Sequence, residues 1–159
     1  MDVRALLASA PATLRSNGDY TLADDLIATH SAQRDADQTL LSHEGGSIKI
    51  EPAEADVHGV DAAAIGPVYR AAQGGGVAVP TGRALVRFGD GDEARRHADE
   101  LSAAGFDLEQ PLPYAPQAAW VRASSGLIAD TLRGLAGLER LTGVRHVEPQ
   151  LIREAGRRD

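Results

Sequence analysis

The clearest alternation of hydrophobic and polar positions lies in the second half of the chain. Ala84–Phe88 (ALVRF) is typical of a strand that ends at the turn GDGD. The amphipathic pattern of Glu93–Ala104 predicts a helix, with Gly105 as its C-terminal cap. Phe106–Leu112 is extended up to its prolines, and Ala118–Arg122 predicts another strand.

The same kind of pattern continues towards the end of the chain. Leu127–Leu141 carries leucines at helical spacing on one face, and Thr142 and Gly143 end this second helix. Val144–Ile152 then supplies a last strand. The order strand–helix–strand–strand–helix–strand predicts an α+β, ferredoxin-like βαββαβ fold, in which two helices cover one face of a four-stranded antiparallel sheet.

The first half of the chain has a weaker pattern. Val3–Leu14 predicts a short helix, and Thr21–Ala36 predicts a longer one because its leucines and isoleucine recur at helical spacing. Ser47–Ile50 predicts a short strand, and Asp61–Ala72 predicts a last helix. We therefore expect residues 1–75 to form an accessory region that is mostly helical or partly disordered.

A glycine- and proline-rich stretch separates the two halves. Three consecutive glycines followed by a proline, in QGGGVAVPTG, are typical of a flexible joint. We assign residues 76–82 to this linker, residues 83–152 to the predicted ferredoxin-like domain, and residues 153–159 to an extended tail.

Composition and charge exclude several classes of function. The formal net charge is -7 and the sequence pI is near 5.2, which argues against a nucleic-acid-binding protein because no basic block offsets the carboxylates. The chain has no cysteine, so disulfides and thiolate metal sites are excluded. No stretch approaches the ~18 apolar residues of a membrane span, and the N-terminus lacks a signal-peptide pattern. We expect a cytoplasmic protein that binds neither nucleic acid nor membrane.

Several residues carry reactive or metal-binding groups, but their spacing forms no catalytic pattern. Ser124 and Ser125 are explained as caps of the following helix, and we expect His97 on a helix surface. A metal site would need ligands at a template spacing, which the acidic and imidazole residues of the first half lack: His30, His43, His58, Glu44, Glu51 and Glu54. We therefore expect no metal, no cofactor and no enzymatic activity.

Four motifs of the second half resemble a known family. ALVRF opens the unit, LSAAGF ends its first helix, AAWVRA forms a strand, and LERLTGVRHVEPQ leads from the second helix into the last strand. Together these motifs are similar to the propeptide of subtilisin-like serine proteases, the inhibitor and intramolecular chaperone that precedes the catalytic domain. The resemblance covers about residues 80–152.

The resemblance implies a protein that closes the active site of a protease. The exposed sheet face would pack on two surface helices of the protease, and the C-terminal tail would lie in the substrate cleft like a bound product. Glu148 matches an acidic residue that meets the N-terminus of a protease helix, and Pro149 would end strand pairing and begin the tail. The implied protease-binding residues are Glu148, Pro149, Gln150, Leu151, Ile152, Arg153, Glu154, Ala155, Gly156, Arg157 and Arg158.

Two aromatic residues are further candidates for an interface. Tryptophan is favoured at binding hot spots, so Trp120 is a candidate anchor, with packing inside the sheet as the alternative. Tyr114, in the loop PLPYAPQ, is a candidate contact in a segment that otherwise serves as a rigid connector.

The sequence therefore predicts a non-catalytic inhibitor and folding chaperone of a subtilisin-like serine protease. The active-site motifs of such a protease are absent from the chain. The protein is then either a proregion separated from its protease or a free-standing protein that acts in trans. The alternative function is that of a ferredoxin-like interaction or scaffold module in a multi-protein complex with no protease target.

Overall fold

The structure is a computed structural model that describes residues 3–16, 18–31, 41–43, 46–54, 60–72 and 76–153. The chain divides into two units. The first unit comprises Met1–Thr81 together with Leu151–Asp159, and the second comprises Gly82–Gln150. The strand pairs whose register is defined in the described residues are all antiparallel.

The first unit is a sheet built around one long strand, β2. Its elements in chain order are α1 (Val3–Ser9), β1 (Thr13–Arg15), β2 (Asp19–Ser31), β3 (Leu41–His43), β4 (Gly46–Pro52), a 3₁₀ turn (Ala62–Ala64), β5 (Ile65–Ala71) and the beginning of β6 (Val77–Phe88). β2 pairs with β1, β4 and β5, whereas β3 pairs with β4 and β5 pairs with β6. The fully buried Tyr69 of β5 donates a hydrogen bond to the carbonyl of Pro11 at 2.6 Å, which fastens the segment between α1 and β1.

The helix predicted over Thr21–Ala36 is wrong, because β2 occupies Asp19–Ser31. The register of β2 against β5 shifts between Leu22 and Ile27, and such a bulge interrupts the two-residue alternation of a strand. Ile27 and Ala28 are also both fully buried, in two different hydrophobic clusters. An interrupted strand that is buried on both sides produces apolar spacings like those of a helix.

The short strand expected over Ser47–Ile50 lies in β4, and the short helix expected over Val3–Leu14 corresponds in part to α1. Two other expectations for the first half are wrong. Asp61–Ala72 holds a 3₁₀ turn followed by β5, whose first five residues are all buried. A continuous apolar run of this length does not distinguish a buried strand from a helix by its period. The segment expected to be a linker, residues 76–82, largely belongs to β6, which begins at Val77; residues 73–75 lie outside the described residues.

The second unit has one sheet and short helices. After β6 come a 3₁₀ turn (Ala94–His97), α2 (Ala98–Ala103), β7 (Phe106–Leu112), β8 (Ala115–Ala123), α3 (Ile128–Arg133), α4 (Leu135–Glu139) and β9 (Val144–Arg153). β6 pairs with β8 and with β9, and β8 pairs with β7. The two helices predicted in this half are thus shortened to α2 and divided into α3 and α4.

Gly134 explains why the predicted helix over Leu127–Leu141 is divided. A Cβ atom at Gly134 would lie 2.7 Å from two ring carbons of Phe106, which is closer than real Cβ contacts. Glycine at this position lets the buried Phe106 ring approach the backbone, and glycine is also a poor helix former. Close packing therefore sets the division between α3 and α4.

The predicted ferredoxin-like fold class is wrong. The molecule is mostly antiparallel sheet with few helices, and not a four-stranded βαββαβ domain with a helical accessory region. The region expected to be helical supplies β1 to β5, and the expected long helices are pieces of five to seven residues. The strand segments expected around Val86, Trp120 and Val147 do lie in β6, β8 and β9.

Candidate functional site

The sheet of the second unit has two chemically different faces. On one face, alternate residues of β6 and β8 join Leu101 and Leu138 from the helices in the hydrophobic core. Because side chains alternate along a strand, the remaining residues of β6 and β8 lie on the opposite face. We call this opposite face the outer face; its members are Arg83, Leu85, Arg87, Ala118, Trp120 and Arg122.

Strand register brings an arginine over the tryptophan on the outer face. Leu85 of β6 pairs with Trp120 of β8, and Arg83 pairs with Arg122. The guanidinium carbon of Arg83 lies 4.9 Å from the centroid of the Trp120 ring, which is the geometry of a cation–π contact. Trp120 is half-buried and is absent from the core cluster on the other side of the sheet.

One carboxylate, that of Glu109, binds two of the three outer-face arginines. Glu109 Oε1 accepts from Arg83 Nε at 3.0 Å, and Glu109 Oε2 accepts from Arg122 Nε at 3.1 Å. Glu109 sits in β7 where the pairing with β8 shifts register, and a bulge of this kind redirects a side chain. The three side chains keep about a third of their surface exposed, so the ion pairs fix geometry more than they add stability.

Hydrogen bonds from α3 hold β6 at Gly82 and β8 at Ala123. Gly82 has a φ of 93°, and a Cβ there would lie 2.7 Å from Arg122 Nη1, so glycine allows the arginine to lie against the strand. The buried Thr131 of α3 donates to the Gly82 carbonyl at 2.7 Å and accepts from Ala123 N at 3.0 Å. These bonds tie α3 to both strands that carry the outer face.

His97 occupies a different place from the surface position expected for it. Its ring stacks on Phe88 with centroids 3.9 Å apart and an angle of 7°, and 16% of the side chain is exposed. The protonated ring donates from Nε2 to Asp92 Oδ2 at 2.8 Å and from Nδ1 to Glu100 Oε1 at 3.3 Å.

These contacts shift the pKa values of His97 and Asp92. Burial lowers the pKa of His97, but the hydrogen bonds to Asp92 and Glu100 outweigh burial, so the pKa of His97 is raised. The hydrogen bond from His97 and one from the Glu93 amide lower the pKa of Asp92. The arrangement is a structural ion pair that anchors the start of α2.

Pro149 does not end the last strand, contrary to expectation. β9 continues through Pro149, which is buried, to Arg153. Ile152 packs against the hydrophobic cluster of Val68 and Val79 in the first unit. The segment up to Arg153 is therefore strand, and only part of the predicted tail lies beyond it.

Arg153, which belongs to the first unit, makes contacts within that unit. Its Nη2 donates to the carbonyl of Ser16 at 2.9 Å, and its guanidinium carbon lies 5.5 Å from the centroid of the Tyr20 ring. Arg153, expected to lie in a protease cleft, thus makes contacts within its own chain. The remaining residues of that prediction, Glu154, Ala155, Gly156, Arg157 and Arg158, lie outside the described residues.

The other predicted site residues occupy separate positions. Glu148 Oε2 lies 3.4 Å from His146 Nε2, and Gln150 and Leu151 continue β9. Trp120 lies on the outer face under Arg83. Tyr114, in the turn between β7 and β8, is 84% exposed, which makes it the large hydrophobic residue that stands out most from the described surface.

Sequence reasoning missed the outer-face arginines and Glu109. The signal was present in RALVRF (residues 83–88) and AAWVRA, because a two-residue period places Arg83 with Leu85 and Trp120 with Arg122. The role of Glu109 depends on a bulge, which the pattern did not show.

Neither a metal centre nor a membrane helix emerges from the described ranges. They contain no group of three His, Asp or Glu side chains that could hold a metal ion, and none of their helices is long and apolar enough to cross a membrane. Comparisons with protein-family models, with curated proteins and with solved structures found no match. Functional inference therefore starts from the outer face.

Proposed function

We propose that the protein is a non-catalytic protein-binding module that contacts its partner through the outer face of the second unit. The observation that carries this proposal is the stack of Arg83 on the half-buried Trp120, held by Glu109. Tryptophan and arginine are the residue types most enriched at binding hot spots. A ring and guanidinium that are already positioned lose less conformational freedom on binding.

The motif GVRHVEP and the preceding strands resemble the propeptide of subtilisin-like serine proteases. We therefore propose a protease of this class as the partner. Binding would make the protein an inhibitor and folding chaperone of that protease. Ile152 and Arg153 make contacts within the first unit, which favours docking through the outer face over insertion of the end of β9 into a cleft. Any product-like insertion would then use residues 154–158.

Titration of a subtilisin-like protease of the source organism tests both parts of the proposal. Trp120→Ala and Arg83→Gln should each weaken inhibition by about tenfold or more, as loss of a hot-spot residue does. Arg133→Gln is the matched control, because Arg133 is an exposed arginine whose ion partner is Asp130 in its own helix. Circular dichroism of every variant checks that the fold is retained.

Two further variants test whether the turn at Tyr114 or the distal tail belongs to the protease-binding interface. Tyr114→Ala tests the exposed turn, and a chain ending at Arg153 tests the distal tail. Full inhibition by the shortened chain would restrict the interface to the sheet. Inhibition that is unchanged in Trp120→Ala and Arg83→Gln would refute the outer face as the binding surface.

A further inference from the structure

A cleft opens where β6 ends and β9 begins, within the second unit. Its volume is about 540 Å³, and its lining consists of Arg87, Phe88, Gly89, Asp90 and Arg145. The guanidinium of Arg145 lies beside Gly89, since a Cβ atom there would be 3.5 Å from Arg145 Nε and 3.8 Å from Nη2. Phe88 is buried and fixed by its stack on His97. The cleft is thus lined by the firmly packed Phe88 and by the two arginines Arg87 and Arg145.

The two arginines of the cleft differ from most others in the protein. Arg15, Arg70, Arg83, Arg95, Arg96, Arg122 and Arg133 form ion pairs with carboxylates, and Arg153 bonds to a carbonyl. In the described part of the chain, Arg87, Arg140 and Arg145 are the arginines with neither a hydrogen bond nor an ion pair. Two of these line the same cleft, and both side chains are exposed.

The local charge of the cleft opposes the charge of the whole chain. The protein carries a formal net charge of -7, whereas Arg87 and Arg145 outweigh the single acid of the cleft, Asp90. Guanidinium groups present planar sets of donors that match carboxylate and phosphate oxygens. An oxyanion between them would supply the acceptors that the described part of the chain does not.

We propose that this cleft binds an oxyanion, a carboxylate or a phosphate group, between Arg87 and Arg145. Gly89 has no side chain to occupy the space beside Arg145, and Asp90 would weaken anion binding by like-charge repulsion. The site is exposed to solvent, so we expect a dissociation constant on the order of millimolar for a small free anion. This inference does not depend on the identity of the partner protein.

Titration of the full chain with inorganic phosphate and, separately, with citrate tests the proposal. Nuclear magnetic resonance of the backbone amides should show saturable shifts centred on Gly89 and Arg145. Arg87→Gln and Arg145→Gln should each raise the dissociation constant by about tenfold, which is the effect of losing a charge-assisted hydrogen bond. The tighter of the two anions identifies the chemistry of the natural ligand as phosphate or carboxylate.

Two matched variants distinguish a specific anion site from nonspecific electrostatic attraction of the anion. Arg140→Gln removes the same charge from an arginine that is equally unpaired but does not line the cleft, and it should leave both titrations unchanged. Asp90→Asn should tighten binding by several-fold. Absence of saturable shifts with either anion overturns the proposal, as would an Arg140→Gln effect equal to that of Arg145→Gln.

Discussion

The two units of the chain bury their apolar residues in different ways. In the second unit, Phe88 and Phe106 of the sheet meet Leu101 and Leu138 of the helices in one cluster of ten buried residues. In the described part of the first unit, β2 contributes Ile27 to one smaller cluster and Ala23 with Ala28 to another. A sheet covered on one face keeps a regular alternation in its sequence, and a strand buried on both sides does not.

This difference also affects where binding groups occur. In the second unit, the outer face of the sheet carries Arg83, Trp120 and Arg122, and the end of β6 adds the cleft with Arg145. In β5 of the first unit, five successive residues are buried. A layer with one uncovered face offers a surface for recognition that a strand buried on both sides lacks.

The largest effect is expected from Phe106→Ala in the core of the second unit. Phe106 is 2% exposed and packs against the backbone at Gly134, so its removal should cost about 4 kcal/mol of unfolding free energy. Urea unfolding followed by the fluorescence of Trp120, the chain's one tryptophan, measures the loss directly in the second unit. Leu108→Ala, at a half-buried position of the same strand, is the control. An equal loss there would show that the core is not centred on Phe106.

A smaller but diagnostic effect is expected in β2. Ile27→Ala should cost about 3 kcal/mol because the side chain is fully buried. Leu22→Ala should cost much less, since Leu22 is half-buried, although both residues belong to the apolar stripe of the helix that the sequence pattern predicts. Denaturant unfolding followed by far-ultraviolet circular dichroism compares the two. Equal losses would contradict the buried strand and favour an amphipathic helix.

The sequence predicted the strands of the second unit better than any other feature. Val86 and Val121 lie in alternating segments with one buried face, which a period of two reveals, and Val147 lies in β9 as expected. The first unit was missed because the bulge after Leu22 and the double burial of β5 depend on which strands pair. Among the site residues, Trp120 could be predicted from its residue type alone. The position of Glu109 and the lining of the cleft could not be predicted, because they depend on how the strands pair.

The smallest effect expected is a pH dependence confined to the second unit. The raised pKa of His97 contributes stability that is complete below its ordinary value of 6.5 and is lost as pH rises through the raised value. The lowered pKa of Asp92 contributes stability above 3.8 that is lost as pH falls through the lowered value. Both contributions are complete between these ordinary values, so stability from this pair should be greatest from pH 3.8 to 6.5.

Thermal unfolding measured within this window and on both sides of it checks the prediction, with His97→Gln as the variant and Asp25→Asn as the comparison from the first unit. Asp25 also has a lowered pKa, caused by its hydrogen bond from Arg70. Its side chain, however, is 60% exposed, against 16% for His97, and solvent screens such exposed pairs. We therefore expect His97→Gln to flatten the fall in stability as pH rises above 6.5 and Asp25→Asn to leave that fall unchanged, since His97 alone of the two titrates near neutral pH. A profile that keeps its slope without His97 would assign the pH dependence to another group.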